Sequence, residues 1–577
     1  MTARRRGAVC WLTALGMTAA MFAFIFLVLD PKYAVNDDSG ILRSFMGYET
    51  GVPAHFHIYV HGLLAWPLHW LALAAPGVAW FSWMQLAFLF LASVVCQKSI
   101  MQRFTGAKKP LWLGALFALA FTSAFVLPYA TRITFTQTSA LLGAAAVLQI
   151  LSCGGAAPGK RVPGGLWLSV ALCVLAYALR QITAIPVLAF CALALVCTAI
   201  ENGGFASLRQ MRPYLLAACG FAAVMVLLMG VREWEITRND AREYLQWQAA
   251  TEELIDRYGF GEIPQEELDR VGWSANTATM VGMQWFFLDE SISTEAFEEL
   301  TAYVHATRDE SVGALAREAF AVLEAFPREN RATMPSVWLL AAMSALTAVG
   351  AALHASGQRK RVMLPLILTA LLTAAMLFYV AYTKGRMPLR AALMAMLPAA
   401  AMVFGLFPRA LSSRAGATVA AVSLAACLGL CAWQLTEQLP SLVLDEARES
   451  EFGNPVEDLL EYALYDESML IIHDNILAGD LRLFPDTSEG IPHNVSFWGG
   501  WGLRSAESIQ QFRNFGIDLL HFPPETFLRE DVLFAATAVD PPPKYMLNYL
   551  REKVDPNVDC MLYGENGFVY FFQFYLP

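Results

Sequence analysis

The sequence predicts a polytopic α-helical membrane protein of about eleven transmembrane helices, with an extracytoplasmic loop and a C-terminal mixed α/β domain. Three observations predict it. Long apolar runs without charge recur through a chain that is 56% hydrophobic and only 16% charged, far from the ordinary soluble composition. Most of the acids are gathered in two blocks, residues 232–335 and 436–577. The basic residues between the apolar runs fall on alternate loops, which gives the whole chain one orientation.

The first run, 11–29, follows Arg4, Arg5 and Arg6 and is close to spanning length. "DPKYAVND" comes next, with no small-residue cleavage pattern, so the run reads as a retained first helix and not a signal peptide. Further spans are expected at 78–97, 111–129, 132–152, 165–180, 183–200, 213–230, 336–354, 362–381, 390–407 and 415–434. With the N-terminus in the cytoplasm, the inner loops hold Lys98, Arg103, Lys108, Lys109, Lys160, Arg161, Arg209, Arg212, Arg359, Lys360, Arg361, Arg409 and Arg414, against the single acid Glu201. Both acidic blocks then lie outside.

That orientation depends on the run from His57 to Gly77, "HIYVHGLLAWPLHWLALAAPG". If it spanned, every later loop would invert. Its histidines recur at helical spacing beside Trp66 and Trp70, which predicts an amphipathic helix on the outer surface among the lipid headgroups. The expected organisation is a transmembrane domain, 1–434, and a C-terminal extracytoplasmic domain, 435–577. Within the first, residues 30–77 form a loop with a juxtamembrane helix, and 232–335 form a large helical loop.

Other classes lack support. The ten cysteines are scattered, mostly through apolar runs, with neither a disulfide framework nor metal-site spacing. A net charge of -10 gives no sign of nucleic-acid binding. No Walker sequence and no G-x-G-x-x-G is present, so ATP-driven transport and a Rossmann nucleotide-sugar site have no motif behind them.

Candidate chemistry gathers on the outer face. "YAVNDDSG" places Asp37 and Asp38 just past the first span. On an extended loop, neighbouring side chains point apart, so one carboxylate can face a reaction centre while the other holds an amide, a metal or a basic partner. "NDD" is equally a turn or helix-cap composition, and both readings stand. Arg132, Arg180, Lys384, Arg386 and Arg390 lie in outer turns, against the charge rule. They suit a lipid phosphate or pyrophosphate, or snorkelling and salt bridges to the outer acids. His55, His57 and His61 offer acid–base or metal-binding groups with the acidic pair, or serve as amphipathic side chains of an interfacial helix. Tyr48 and Glu49 are candidate sugar contacts. Trp273, Trp285, Trp498 and Trp501 are candidates for stacking on sugar faces.

"NDDSGILRSFMGYETGVPAHFHIY" and the later "GRMPLR", with the order of spans and outer blocks, resemble the GT-C superfamily of bacterial polytopic glycosyltransferases that use lipid-linked sugar donors. The resemblance covers 11–434; "NVSFWGGWG" in the C-terminal block is distinctive only in itself. It implies inverting transfer of a sugar from a polyprenyl-phosphate donor to an extracytoplasmic glycan, lipid or protein acceptor. A first-loop Asp would be the general base, taken as Asp38 with Asp37 orienting or binding metal. Tyr48, Glu49, His55, His57 and His61 would contact the acceptor or sugar, and the five outer cations would hold the donor phosphate. Some members use a divalent cation, Mg or Mn, for which Asp37, Asp38 and His57 are the candidate ligands. It also implies the bacterial cytoplasmic membrane, with the N-terminus cytoplasmic and the C-terminus extracytoplasmic. Two other classes stay open: a flippase or permease for a lipid-linked glycan, and a non-catalytic envelope-assembly protein. A cavity lined by Asp38 and Arg386 favours the enzyme, and a continuous passage favours transport.

Overall fold

The computed structural model describes residues 3–153, 164–201, 208–259, 263–286, 289–354, 356–411, 416–452, 454–473, 476–497, 504–537 and 544–577. Among them, nine helices are long and apolar enough to cross a membrane. They coincide with nine of the expected spans, from Ala3–Val28 to Gly416–Phe452, and make the chain a multi-pass helical membrane protein. The runs expected at 111–129 and 165–180 become helices of 15 and 16 residues, Leu111–Phe125 and Gly164–Leu179. At 1.5 Å per residue they rise about 22–24 Å, less than the roughly 30 Å of a hydrocarbon core. The run after His57 becomes Gly62–Ala74, a helix of 13 residues that is shorter still, with Trp66 and Trp70 exposed.

Three helices fill the middle of the bundle: Trp80–Gly106, Phe135–Ser152 and Leu389–Ala410. Every residue from Phe135 to Leu151 is buried. Glycine makes the closest approaches possible, since a Cβ on Gly143 would lie 2.2 Å from Val187 and one on Gly405 2.4 Å from Leu151. The first helix and the helices Leu208–Arg238 and Ser356–Lys384 turn most of their apolar surface outward. At the end opposite the polar blocks, several basic residues have a second task. Arg103 donates to Gly405 O (2.7 Å) and Leu151 O (3.0 Å), and Lys109 donates to Leu411 O (2.7 Å). Leu151 and Leu411 lie where helices end and carbonyls lack intrahelical donors, and Arg103 and Lys109 supply them.

The last part of the chain contains a five-stranded sheet. Two-residue strands β1 (Lys32–Tyr33) and β2 (Arg132–Ile133) pair elsewhere, in parallel. The sheet itself is built from β3 (Leu470–His473), β4 (Val495–Phe497), β5 (Val532–Thr537), β6 (Asp559–Asn566) and β7 (Val569–Tyr575), in the order β4-β3-β5-β7-β6. β3 pairs in parallel with β4 and β5, and β7 pairs antiparallel with β5 and β6. Side chains alternate across the central strand. Leu533 and Ala535 join the core that continues into the membrane helices, while Val532, Phe534 and Ala536 join a second core.

That second core is shared with the large loop block. Trp247, Trp273, Trp285 and Phe297 pack with Phe512, Phe534 and Met546. The first loop is tied in by Tyr33, whose N donates to Leu481 O (2.7 Å) and whose hydroxyl bonds Ser82 Oγ (2.7 Å), itself a donor to Leu483 O (2.6 Å). All three polar regions therefore meet at one end of the bundle. Single cysteines at Glu266 and Glu489, in a Cys219→Ser background, should react with a membrane-impermeant maleimide on intact cells, and one at Lys108 only after permeabilisation. Labelling at 108 in intact cells would invert the orientation read from the basic loops.

Candidate functional site

A cavity of about 720 Å³ opens where these regions meet. Its wall comes from helix Asn36–Met46, the segment 56–59, residues 239–244, the turn before Leu389, and helix Ala506–Asn514.

The acidic pair is not on an extended loop. "NDD" is the first turn of helix Asn36–Met46, where carboxylates interact well with the N-terminal dipole. Successive helical residues point about 100° apart, so Asn36, Asp37, Gly40, Ile41 and Ser44 face the cavity and Asp38 faces the bundle. Asp37 is ion-paired with Arg390. Asp38 is fully buried. Its Oδ1 accepts from Gln85 Nε2 (3.1 Å) and from Phe135 N (2.7 Å), and its Oδ2 has no hydrogen-bond partner. Burial pushes its carboxyl up to about 8, against the pull of those two hydrogen bonds. The cavity-facing position expected for Asp38 thus belongs to Asp37. Asp38 instead satisfies an otherwise orphaned N–H at the start of the central helix Phe135–Ser152.

The five expected phosphate-binding cations are not one cluster. Arg386 and Arg390 line the cavity, paired with Asp256 and Asp37 respectively. Lys384 is beside them, paired with Glu252 at 2.5 Å, and does not line it. Arg180 is sandwiched between Tyr59 and Phe135, 4.6 and 4.8 Å from the ring centroids, with Nε unpartnered. Arg132 is elsewhere: it donates to Asp30 O (2.9 Å) and belongs to the β1–β2 pairing. The salt-bridge reading therefore describes Lys384, Arg386 and Arg390 in this state, and a backbone-anchoring role describes Arg132.

The histidines and the other candidates separate in the same way. His57 lines the cavity, and its Nδ1 accepts from Tyr59 N (3.2 Å), leaving the ring proton on Nε2. Burial, with the charges of Arg232 and Arg180, pushes its pKa down to about 3, so the ring is neutral. His61 is fully buried and caps Gly62–Ala74, accepting from Leu63 N (2.9 Å). It is structural and cannot touch a sugar. His55 is bonded to Asn239 (3.1 Å) outside the cavity lining. Glu49 lines the cavity, its pKa raised to about 8 by burial and by the charge of Glu507, with Arg43 opposing. Tyr48 is buried and does not line it.

A divalent cation does not fit the proposed ligands. One Asp37 oxygen is held by Arg390, Asp38 points away, and His57 Nδ1 is used. Among the described residues no group of three His, Cys, Asp or Glu side chains could hold a metal. Trp273 and Trp285 are core residues, 0% and 3% exposed, which removes them as stacking platforms. Trp498 and Trp501 lie outside the described residues.

The sequence reading missed Arg43, Tyr59, Asp256, Arg504 and Glu507, all in the cavity wall. For the first a signal existed: an Asn-Asp-Asp helix start followed by helical spacing of 36, 40, 43 and 44 selects one face. Glu507 and Arg504 come from a helix remote in sequence, and nothing local marks them.

Fold and site together define a multi-pass helical membrane protein with a large charged cavity at the end where its polar regions gather. No family model, curated protein or solved structure matches the chain.

Proposed function

We propose that the chain is an inverting membrane glycosyltransferase of GT-C type, working on the outer face of a bacterial cytoplasmic membrane with a polyprenyl-phosphate-linked sugar. The observation that carries this reading is the meeting of Asp37 with Arg390 and Arg386 in a cavity at the end of the spans. A lipid-phosphate sugar keeps its scissile bond near the headgroups, the level that this end of the bundle would occupy. The filled bundle centre below the cavity favours a site over a passage.

The step balances on these residues. Asp37 takes the proton of an acceptor hydroxyl on a glycan, lipid or protein, and that oxygen bonds to the anomeric carbon from the face opposite the phosphate. The anomeric C–O bond to phosphate breaks, its electron pair leaves on polyprenyl phosphate, and configuration inverts. Arg390 has two partners in this scheme. An arriving phosphate competes with Asp37 for its guanidinium, which frees the base and places positive charge where negative charge develops. Arg386 makes the same exchange from Asp256. His57 Nε2–H and Tyr59 line the wall as hydrogen-bonding groups for sugar hydroxyls.

Arg390→Ala and Arg386→Ala should each weaken binding of a short-chain polyprenyl phosphate about 10- to 100-fold, the range for losing a charge-assisted hydrogen bond. Thermal midpoints should change little, because partly exposed ion pairs stabilise weakly. Calorimetric titration in nanodiscs reads both. Unchanged affinity in the two variants would remove the phosphate site and with it this reading.

A further inference from the structure

The segment 56–62 has no helix or strand before Gly62, yet it supplies Phe56, His57, Ile58 and Tyr59 to the cavity wall. Irregular backbone at the edge of a bilayer must have its polar groups satisfied by protein. Helix Leu208–Arg238 does this with side chains. Arg232 donates to His57 O (3.2 Å) and to Ile58 O, and its guanidinium lies 5.0 Å over the Phe56 ring. Glu235 Oε2 accepts from Gly62 N (3.3 Å) and from Arg232 Nη1 (3.5 Å). One turn back, Leu228 O is bonded to His61 Nε2 (2.8 Å).

Arg232 and Glu235 are 6% and 2% exposed and neither lines the cavity. A buried ion pair near a membrane is costly to desolvate and adds little net stability. What this pair supplies is geometry. Gly62 makes room for it: a Cβ there would lie 1.6 Å from Glu235 Oε1. Removing Arg232 leaves two carbonyls of the segment without their donor, and displacing Glu235 leaves Gly62 N unpaired and Arg232 without its counter-charge.

We infer that Arg232 and Glu235 are positioning residues, which fix the segment 56–62 so that His57 and Tyr59 face the same cavity as Asp37. The inference rests on the reading of that cavity as the substrate site. Their effect on transfer runs through the wall they hold, since they touch neither the proposed base nor the phosphate cations.

The experiment uses the full chain in nanodiscs, with hydrogen–deuterium exchange of peptides covering 56–62 beside transfer kinetics from a polyprenyl-phosphate hexose. Arg232→Gln and Gly62→Ala should each speed exchange in that segment about tenfold or more, while exchange in β3 and β5 stays as in the parent. In both variants kcat should fall on the order of 100-fold with donor KM nearly unchanged, as for a misplaced wall. Arg232→Lys keeps a cation beside Glu235 and a donor for one of the two carbonyls, and should recover part of the protection and of kcat together, relative to Arg232→Gln. Unchanged exchange in the first two variants, or faster exchange with unaltered kcat, overturns the inference. A parent protein that transfers no sugar from any polyprenyl phosphate counts against the transferase reading alone, and the exchange pattern and its recovery still decide the positioning.

Discussion

Asp37→Asn is expected to lower kcat for sugar transfer by about 10²–10⁴-fold, the usual contribution of a general base, with binding of polyprenyl phosphate kept or tightened. The amide cannot take a proton, and it releases Arg390 to the phosphate. Asp38→Asn should behave differently. Its carbonyl oxygen still accepts from Gln85 and Phe135 N, the two bonds that Asp38 makes, so the fold survives and most activity with it. The pH dependence of stability gives Asp38 a test of its own. Folded Asp38 keeps its proton up to about pH 8, whereas the unfolded carboxyl loses it near about 3.9. Its contribution is therefore fully present at low pH and is lost as pH rises between those values. Asparagine has no such ionisation. The thermal midpoint of Asp38→Asn should fall less steeply from pH 5 to pH 8 than that of the parent. Full transfer by Asp37→Asn would end the assignment of the base.

The second large effect is on folding. Trp273→Ala should destabilise the chain by about 3–5 kcal/mol, the range for emptying an aromatic site in a core. Trp273 is fully buried, its indole N–H donates to Ser291 O at 2.8 Å, and its ring packs edge-on against Phe297 at 5.2 Å. A lower thermal midpoint and faster proteolysis within 232–335 would report this loss without any glycan present. A variant of unaltered stability that lost only acceptor binding would return Trp273 to the surface role expected from its sequence context.

The helical membrane architecture was legible because burial in lipid writes itself as long apolar runs. Span lengths were less so: the end of Leu208–Arg238 runs past residue 230, where Arg232 and Glu235 enter, since a helix continues wherever its charges find protein partners. The site was half legible. "NDD" and "GRMPLR" marked Asp37, Arg386 and Arg390, but ranking Asp38 above Asp37 assumed an extended loop where there is a helix. Arg132, His61 and Trp273 misled for a common reason. Each carries a functional-looking group on the expected outer face, and only packing reveals that backbone groups or core neighbours use it. The wall from 504 to 513 was invisible, because its contact with the first loop is set by tertiary folding.

The sheet at the end of the chain has one further consequence, in the order of biogenesis. Its central strand β5 is covered on one face by the core continuous with the membrane helices and on the other by the core of the large loop, and β7, made last, completes its pairing. Helix Ala506–Asn514, folded beside that sheet, closes the cavity around Asp37, a residue synthesised several hundred positions earlier. A ribosome-bound chain with all its spans inserted would hold the acid and its arginine partners in an open vestibule. Assembly of the cavity therefore waits on the folding of this sheet, long after the membrane helices are in place.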